Sequence, residues 1–266
     1  MASDKEKLSI EVRDLAVSYG GKAVLEHVSF NLDAGSVVAL LGPNGSGKTS
    51  LLLAMGGLMR PAAGSVLVGG KPVSGMKPSD RAKRMALLPQ GLPSFIPFSV
   101  YETVLMGRFP LSSPLFFHGR RDMEETEKIL KSTDLWHLRK RKCSELSGGE
   151  VQRVMLASVF AQETPVLLLD EPTASMDIHQ QEKIMSMVSG MAGGQNKTVV
   201  IATHDLNFTA AMCDRVVMLM ARDEILFGAT QELLHEENIS RLFNVQVESL
   251  RVGRKIFFLP GANNRM

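Results

Sequence analysis

Apolar positions along the chain fall into two kinds of strand pattern. Residues 8–17 and 24–32 alternate between apolar and polar side chains, which predicts strands with one buried face. Residues 36–41, 166–169 and 198–202 form short apolar runs without alternation. Such runs are typical of strands that are buried on both faces of a parallel sheet.

Helical patterns lie between these runs, most clearly over residues 48–59 and 178–191. Strands that alternate with helices predict an α/β fold built on a parallel sheet. Residues 91–163 contain helical and loop signals without a clear strand, so we interpret them as an inserted helical lobe. Residues 245–259 alternate around Gly253 and predict a short hairpin.

The domain organisation follows from this order of elements. With 266 residues, the chain has room for one large α/β domain that carries an inserted lobe. We expect one domain in three parts, which are a core lobe of about residues 1–90 and 164–235, a helical lobe of about 91–163, and a short C-terminal extension of about 236–266.

Composition and charge exclude several functional classes. The formal net charge of +2, with no long basic stripe, is too small to indicate nucleic-acid binding. No run approaches the roughly 18 apolar residues of a membrane span, and residues 1–7 are too polar for a signal peptide. Cys143 and Cys213 belong to no metal-ligand or C-x-x-C pattern, so we expect reduced thiols in a cytoplasmic compartment. Any membrane role is expected to come through a partner.

A glycine-rich loop between a buried strand and a helix carries the first chemical signal. It fits the pattern G-x-x-x-x-G-K-[ST] in the strand–loop–helix context that this pattern requires. Glycines let the backbone wrap around phosphates, and the helix N-terminus adds positive potential. Lys48 is expected to reach the β- and γ-phosphates, and the Thr49 hydroxyl to ligate Mg²⁺. The predicted nucleotide-binding residues of this loop are Gly42, Pro43, Asn44, Gly45, Ser46, Gly47, Lys48, Thr49 and Ser50.

Small-molecule kinases and GTPases also have this phosphate loop, so the loop alone does not identify the class of NTPase. Two adjacent acidic residues at the end of a buried run give further information. Asp170 and Glu171 follow residues 166–169, and a parallel strand would deliver both to the phosphate edge of the sheet. Asp170 is placed to hold Mg²⁺, directly or through water. Glu171 is placed to polarise an attacking water as a general base.

A third segment, Leu146-Ser147-Gly148-Gly149-Glu150, opens a helix and lies 24 residues before the two acids. Small residues at a helix N-terminus can bind an anion through free N–H groups. Together the three segments resemble the ATP-binding cassette (ABC) family over nearly the whole chain, as its Walker A loop, Walker B strand and signature motif. The resemblance implies a P-loop NTPase (RecA-like) cassette core with an N-terminal antiparallel β subdomain and an inserted helical subdomain.

The resemblance also implies roles for residues outside these motifs. Gln90 matches the Q-loop glutamine, which senses Mg²⁺ and the γ-phosphate. Asp177 ends a segment that resembles the D-loop, with Met176 where Leu is usual. His204 matches the switch histidine at the γ-phosphate, and Tyr19 sits where the family stacks an aromatic ring on adenine. The implied metal ligands are Thr49, Gln90 and Asp170, and the implied catalytic residues are Glu171, His204 and Gln90.

The same resemblance implies an ATPase that works with partners. In this family the signature of one copy completes the ATP site of the other, so Ser147, Gly148 and Gly149 are expected to contact ATP held by a second chain. A homodimer is therefore expected, bound peripherally at the cytoplasmic face of the cell membrane. Its partners would be integral membrane permease subunits and, indirectly, an extracytoplasmic substrate-binding protein.

A finer signal lies in residues 98–108 and in Asp177-Ile178-His179-Gln180, which are similar to importers of iron–siderophore complexes, haem and vitamin B12. The alternatives are a molybdate or tungstate importer ATPase of the same architecture and a soluble ABC ATPase that acts as an assembly factor. Residues 97–117 are unusually apolar and predict a groove for a short cytoplasmic helix of the membrane subunit. The apolar side chains of this segment are Phe98, Val100, Leu105, Phe109, Leu115, Phe116 and Phe117.

Overall fold

The computed structural model describes residues 8–91, 93, 95–111, 119–253 and 255–261. The strands in this part are β1 (Ile10–Tyr19), β2 (Lys22–Leu32), β3 (Val37–Leu41), β4 (Ala63–Val68), β5 (Lys71–Pro72), β6 (Met85–Leu88), β7 (Val166–Asp170), β8 (Thr198–Ala202), β9 (Arg215–Leu219), β10 (Ile225–Ala229), β11 (Val247–Val252) and β12 (Lys255–Pro260). The α-helices are α1 (Lys48–Met55), α2 (Pro78–Arg84), α3 (Val100–Met106), α4 (Arg120–Ser132), α5 (Gly148–Ala161), α6 (Ile178–Gln195), α7 (Leu206–Met212), α8 (Thr230–Leu233) and α9 (Glu236–Phe243).

The central layer is a six-stranded sheet in the order β10-β9-β3-β8-β7-β6. Its strands run parallel except for β10, which pairs antiparallel with β9 at one edge. Every residue of β3, β7 and β8 is buried, as strands covered on both faces must be. The carboxyl ends of β3, β7 and β8 therefore meet at one edge of the sheet, where the predicted catalytic residues follow.

Two apolar clusters cover the two faces of this sheet. Alternate residues of β3 point to opposite sides, with Val38 and Leu40 in one cluster and Ala39 and Leu41 in the other. The first cluster packs α1 and a separate antiparallel sheet, of order β2-β1-β4-β5, against the first face. The second packs α5, α6 and α9 against the opposite face. The predicted α/β cassette fold, with its antiparallel β subdomain and helical region, is confirmed.

The described residues between β6 and β7 contain α3, α4 and α5 and have an apolar cluster of their own, which includes Val100, Val104, Leu130 and Val154. Arg108 fastens this region together, because its side chain is only 2% exposed and contacts three separate groups. Its Nε lies 3.1 Å from Asp122 Oδ1 on α4, and its Nη1 lies 2.8 Å from Glu163 Oε2. Nη1 also donates to the Ala161 carbonyl, at 2.9 Å, at the end of α5.

The surface near α3 carries exposed apolar side chains, as the sequence predicts for this segment. Phe98, Met106 and Phe109 are exposed, Met106 by 42% and Phe109 by 57%. Val100 is different, because it is fully buried in the cluster between α3 and α5. Leu115, Phe116 and Phe117 lie outside the described residues.

Strands β11 and β12 form the hairpin that the alternation around Gly253 predicts, with Arg251 opposite Ile256 and Ser249 opposite Phe258. Phe258 is buried, and β12 packs on α7. Among the described residues, no helix is both long and apolar enough to cross a membrane.

Several predicted bounds differ from the observed ones. The first helix ends at Met55 and not near residue 59, because Gly56 and Gly57 follow and Gly57 has a φ of 66°. Helix α6 is longer than predicted and ends at Gln195, with Asn196 in the left-handed conformation. Strands β4, β5, β9 and β10 were not predicted. The predicted limits of the three parts of the domain stay a prediction.

Candidate functional site

The phosphate loop lies where the sequence predicts, between the buried end of β3 and the start of α1. Gly47 has a φ of 98°, a conformation that favours glycine. A Cβ at Gly47 would come within 2.9 Å of the Val24 and Leu25 side chains of β2. Both observations explain why a glycine must precede Lys48, and they place the β1–β2 hairpin against the loop.

The Lys48 ammonium lies inside the loop, where it donates to the Gly42 carbonyl at 2.7 Å and to the Pro43 carbonyl at 3.2 Å. Burial lowers the pKa of Lys48, while the nearby Glu171 and Asp170 carboxylates act in the opposite direction. A buried cation whose hydrogen-bond partners are neutral carbonyls favours a bound anion. The lysine is thus placed to receive phosphate oxygens at the centre of the loop.

The Ser46 hydroxyl gives an independent test of whether the loop fits a phosphate. Its Oγ is buried and has no hydrogen-bond partner among the described residues. Buried hydroxyls are normally hydrogen-bonded, so an unpartnered one in a loop of this shape points to an acceptor supplied by a ligand. The residues present therefore fit a nucleotide phosphate.

The three predicted metal ligands come together beside the loop. The Thr49 hydroxyl donates to Asp170 Oδ2 at 2.6 Å and lies 3.4 Å from Gln90 Oε1. Burial raises the pKa of Asp170, and hydrogen bonds from Thr49 and from the Gln90 peptide N–H oppose that shift. Hydroxyl, amide and carboxylate oxygens are the ligands that Mg²⁺ prefers, with phosphate oxygens completing its shell. The donor set therefore fits Mg²⁺ bound together with a nucleotide.

The predicted general base and switch histidine contact each other directly. Glu171 Oε1 lies 3.0 Å from His204 Nδ1. Glu171 also has a φ of 47°, which a glutamate adopts only at a cost of about 1–3 kcal/mol. The Glu171 peptide N–H donates to the Ala202 carbonyl at the end of β8, at 2.9 Å. Strained backbone held by a neighbouring strand is typical of a functional position.

Gln152 has a place in the site that sequence reasoning missed. Its side chain is buried on α5, and Nε2 lies 3.4 Å from the carbonyl oxygens of Glu171 and Pro172. It is thus the link between α5 and the segment that carries the base. The sequence signal is a polar amide on the buried side of a helix, five positions after Ser147.

Ser147 caps α5, and its hydroxyl is already engaged in its own chain. Ser147 Oγ donates to Glu150 Oε2 at 2.8 Å, and the Ser147 peptide N–H donates to the same oxygen, also at 2.8 Å. These two bonds lower the pKa of Glu150. Gly148 is the first helical residue, and a Cβ at Gly149 would come within 2.6 Å of the Ser175 carbonyl. The signature residues therefore lie against the segment before Asp177.

Asp177 caps the next helix, α6, by accepting a hydrogen bond from the Gln180 peptide N–H at 2.9 Å. Its side chain therefore has a structural role in this structure, besides the predicted nucleotide contact. Among the described residues, no hydrogen bond joins Asp177 or Ser147 to the phosphate loop. The predicted site residues thus form two groups, one around the loop and one at the start of α5 and α6.

Tyr19 ends β1 beside the turn of the hairpin that contacts Gly47, and 72% of the residue is exposed. An exposed aromatic ring at the edge of a phosphate site can stack on a purine base. Asn44 and Gly45 are exposed at the tip of the loop, and Ser50 lies in the first turn of α1.

Comparison with known proteins agrees with this geometry. The family model described as "ABC transporter" matches residues 25–174, which include the phosphate loop, both acids and the signature segment. The chain is 38% identical over 255 residues to the hemin import ATP-binding protein HmuV of Nocardia farcinica, covering 94% of this chain and 87% of that protein. It is 34% identical over 254 residues to the petrobactin import ATP-binding protein FpuC of Bacillus anthracis, covering 94% and 92%.

Among solved structures, the chain is similar to a metal-chelate type ABC transporter in an inward-facing conformation. The TM-score is 0.81 at 29% identity, and the match covers 96% of this chain and 98% of the other. The likeness thus extends over nearly the whole chain.

Proposed function

The chain belongs to the ABC transporter family, whose cassettes hydrolyse ATP, and we propose that it drives the import of a metal-chelate substrate. The substrate would be an iron–siderophore complex, haem or cobalamin. The observation that carries this proposal is the near full-length similarity to importer subunits named for hemin and petrobactin. The solved metal-chelate type transporter, which matches nearly all of both chains, gives structural support.

We propose that Lys48, Ser46 and the loop N–H groups bind the ATP phosphates. Lys48 would exchange the carbonyls of Gly42 and Pro43 for phosphate oxygens, which compensate its buried charge better. Thr49, Asp170 and Gln90 would hold Mg²⁺, which supplies positive charge against the phosphate oxygens. Tyr19 would stack on the adenine.

Glu171 would accept the proton of the attacking water, and His204 would hold the carboxylate in position through the 3.0 Å contact. Gln152 fixes the backbone of the same segment, so that the carboxylate is set before ATP arrives. Such preorganisation is what makes positioned groups effective in catalysis.

We further propose a homodimer in which Ser147, Gly148 and Gly149 of one chain contact ATP held by the other. The Ser147 hydroxyl would exchange its hydrogen bond to Glu150 for one to the γ-phosphate. Until the second chain binds, the bond to Glu150 would keep this hydroxyl oriented. Asp177 lies beside this segment and would join the contact between the chains. We place the dimer on the cytoplasmic face of a membrane, bound to permease subunits, with an extracytoplasmic binding protein delivering the substrate.

The test is loss and rescue of uptake in the native host. Deletion of the gene should abolish uptake of one substrate among labelled haem, ferric siderophores and cobalamin, and the wild-type chain should restore it. The chain with Lys48→Ala serves as the matched control and should restore nothing. The tagged chain should also co-purify with an integral membrane protein.

Unchanged uptake of all three substrate classes would refute the assignment to metal-chelate import. Loss of molybdate or tungstate uptake instead would establish the alternative importer. Purification without any membrane protein would favour a soluble assembly factor. The hemin and petrobactin relatives are both named for import, so they favour neither alternative.

A further inference from the structure

The C-terminal hairpin packs on α7 and α9, and a cavity of about 670 Å³ lies between the hairpin, α7 and α8. Cavities of roughly 300–1,000 Å³ are the usual size for small-molecule sites. None of the predicted nucleotide-site residues lines this cavity. The cavity therefore belongs to a different part of the molecule from the phosphate loop.

The walls combine apolar surface with a few polar groups. Ala210, Leu234 and Ile256 supply apolar surface, while Asn207 and Thr230 are polar. Thr230 is only 4% exposed, and its hydroxyl has no hydrogen-bond partner among the described residues. Because buried hydroxyls are normally paired, the Thr230 hydroxyl points to a partner supplied from the cavity.

The charge of the cavity comes from Arg251. Arg251 lies opposite Ile256 in the hairpin, and both lie on the same side of it as the buried Phe258. It is the one charged side chain among the described lining residues, and no ion pair joins it to a carboxylate in the described part of the chain. An arginine beside an apolar wall favours an organic anion, since the guanidinium can bind a carboxylate, sulfonate or phosphate group.

We propose that this cavity binds a small amphipathic organic anion, with the anionic group on Arg251, a hydrogen bond to Thr230 and the apolar body against Leu234 and Ile256. The site adjoins the catalytic segment through α7. Asn207, which lines the cavity, accepts a hydrogen bond from the Phe258 peptide N–H at 2.8 Å and lies three residues after His204. This inference stands apart from the proposed transport function.

A fluorescent probe of the right chemistry tests the proposal on the full chain. The probe is 8-anilinonaphthalene-1-sulfonate, an aromatic anion, titrated with ADP present so that the nucleotide site is filled. Its neutral analogue, N-phenyl-1-naphthylamine, reports apolar binding without the charge. We expect one saturable anion site that Arg251→Gln weakens about tenfold, as expected for a lost charge-assisted hydrogen bond. Arg251→Lys should restore most of the affinity.

Two further variants make the outcome specific. Thr230→Val keeps the shape and removes the hydroxyl, so it should weaken the anion about threefold without lowering the thermal midpoint of the ligand-free chain. Arg60→Gln, at an exposed arginine that does not line the cavity, should leave binding unchanged. Decanoate and 1-naphthoate, added as competitors, distinguish an acyl anion from an aromatic one.

The proposal is overturned if Arg251→Gln and Arg60→Gln bind the anion equally well, since the probe then binds elsewhere. It is also overturned if Arg251→Gln weakens the neutral analogue as much as the anion, because the arginine would then only hold the hairpin in place. A lower midpoint for Thr230→Val would equally show a purely structural hydroxyl.

Discussion

Replacing Glu171 by glutamine should separate ATP binding from ATP hydrolysis. The amide has the same shape and can keep the 3.0 Å contact with His204, but it cannot accept a proton from water. A positioned general base contributes about 10²–10⁴-fold to a rate, or roughly 3–5 kcal/mol of the barrier. We therefore expect turnover to fall at least about 100-fold while ATP still binds. Because the positive φ of Glu171 is a backbone property, the substitution should hardly change the thermal midpoint.

Phosphate release measured at saturating ATP gives the turnover, and gel filtration with ATP should show a trapped dimer. Glu237→Gln on α9 is the matched control, as it removes an exposed carboxylate outside the site. Near-wild-type turnover of the Glu171 variant would refute its role as base. A loss of ATP binding with the same variant would instead mean that the carboxylate serves the nucleotide or metal and not the water.

Four further measurements address the remaining roles. Lys48→Ala should weaken nucleotide binding itself, which equilibrium binding of a fluorescent ATP analogue checks. Ser147→Arg should leave the monomer folded but block ATP-driven dimerisation. Mixing this variant with Lys48→Ala chains should restore one competent ATP site per heterodimer, and the absence of any ATP-dependent dimer in every mixture contradicts a shared site. Asp170→Asn should raise the thermal midpoint of the nucleotide-free chain, because burial raises the pKa of Asp170 and its ionised form therefore opposes folding. The difference from wild type should grow as the pH rises from the usual carboxyl range through this raised pKa, and an equal midpoint at every pH refutes this. Met106→Glu should leave ATPase activity intact and reduce assembly with the membrane subunit, whereas Met123→Glu, at a methionine 49% exposed on α4, should not; normal assembly of the first variant would contradict a docking role.

The buried strands could be predicted because their residues are apolar throughout. Strands β3, β7 and β8 are buried at every position, so each gives an unbroken apolar run. Strand β4 contains Gly64 and is only partly buried, and β10 is half-buried along its length. Neither strand therefore shows a clear alternation of apolar and polar residues. Strand β9 has an apolar run of the same kind as the others and could have been recognised.

The chemistry of the site could be predicted from local motifs, but its hydrogen bonds could not. The bond from Thr49 to Asp170 joins residues 121 positions apart, and the contact between Glu171 and His204 spans 33. Only the sheet brings these pairs together. The role of Gln152 was missed for the same reason, since nothing near it in the sequence indicates that its partners are the carbonyls of Glu171 and Pro172.

The contacts of Arg108 have a mechanical consequence. Arg108 lies two residues after the end of α3 and is bound to the end of α5, while Gly107 lies against the Ser158 backbone of the same helix. The segment with the exposed Met106 and Phe109 is therefore bound to the C-terminal end of α5, and Ser147 lies at the N-terminal end of the same helix. A helix of 14 residues is a rod about 21 Å long. A displacement of these exposed apolar side chains would therefore move α5 and Ser147 as one rigid unit. The buried ion pairs of Arg108 would keep the segment after α3 from sliding relative to α5.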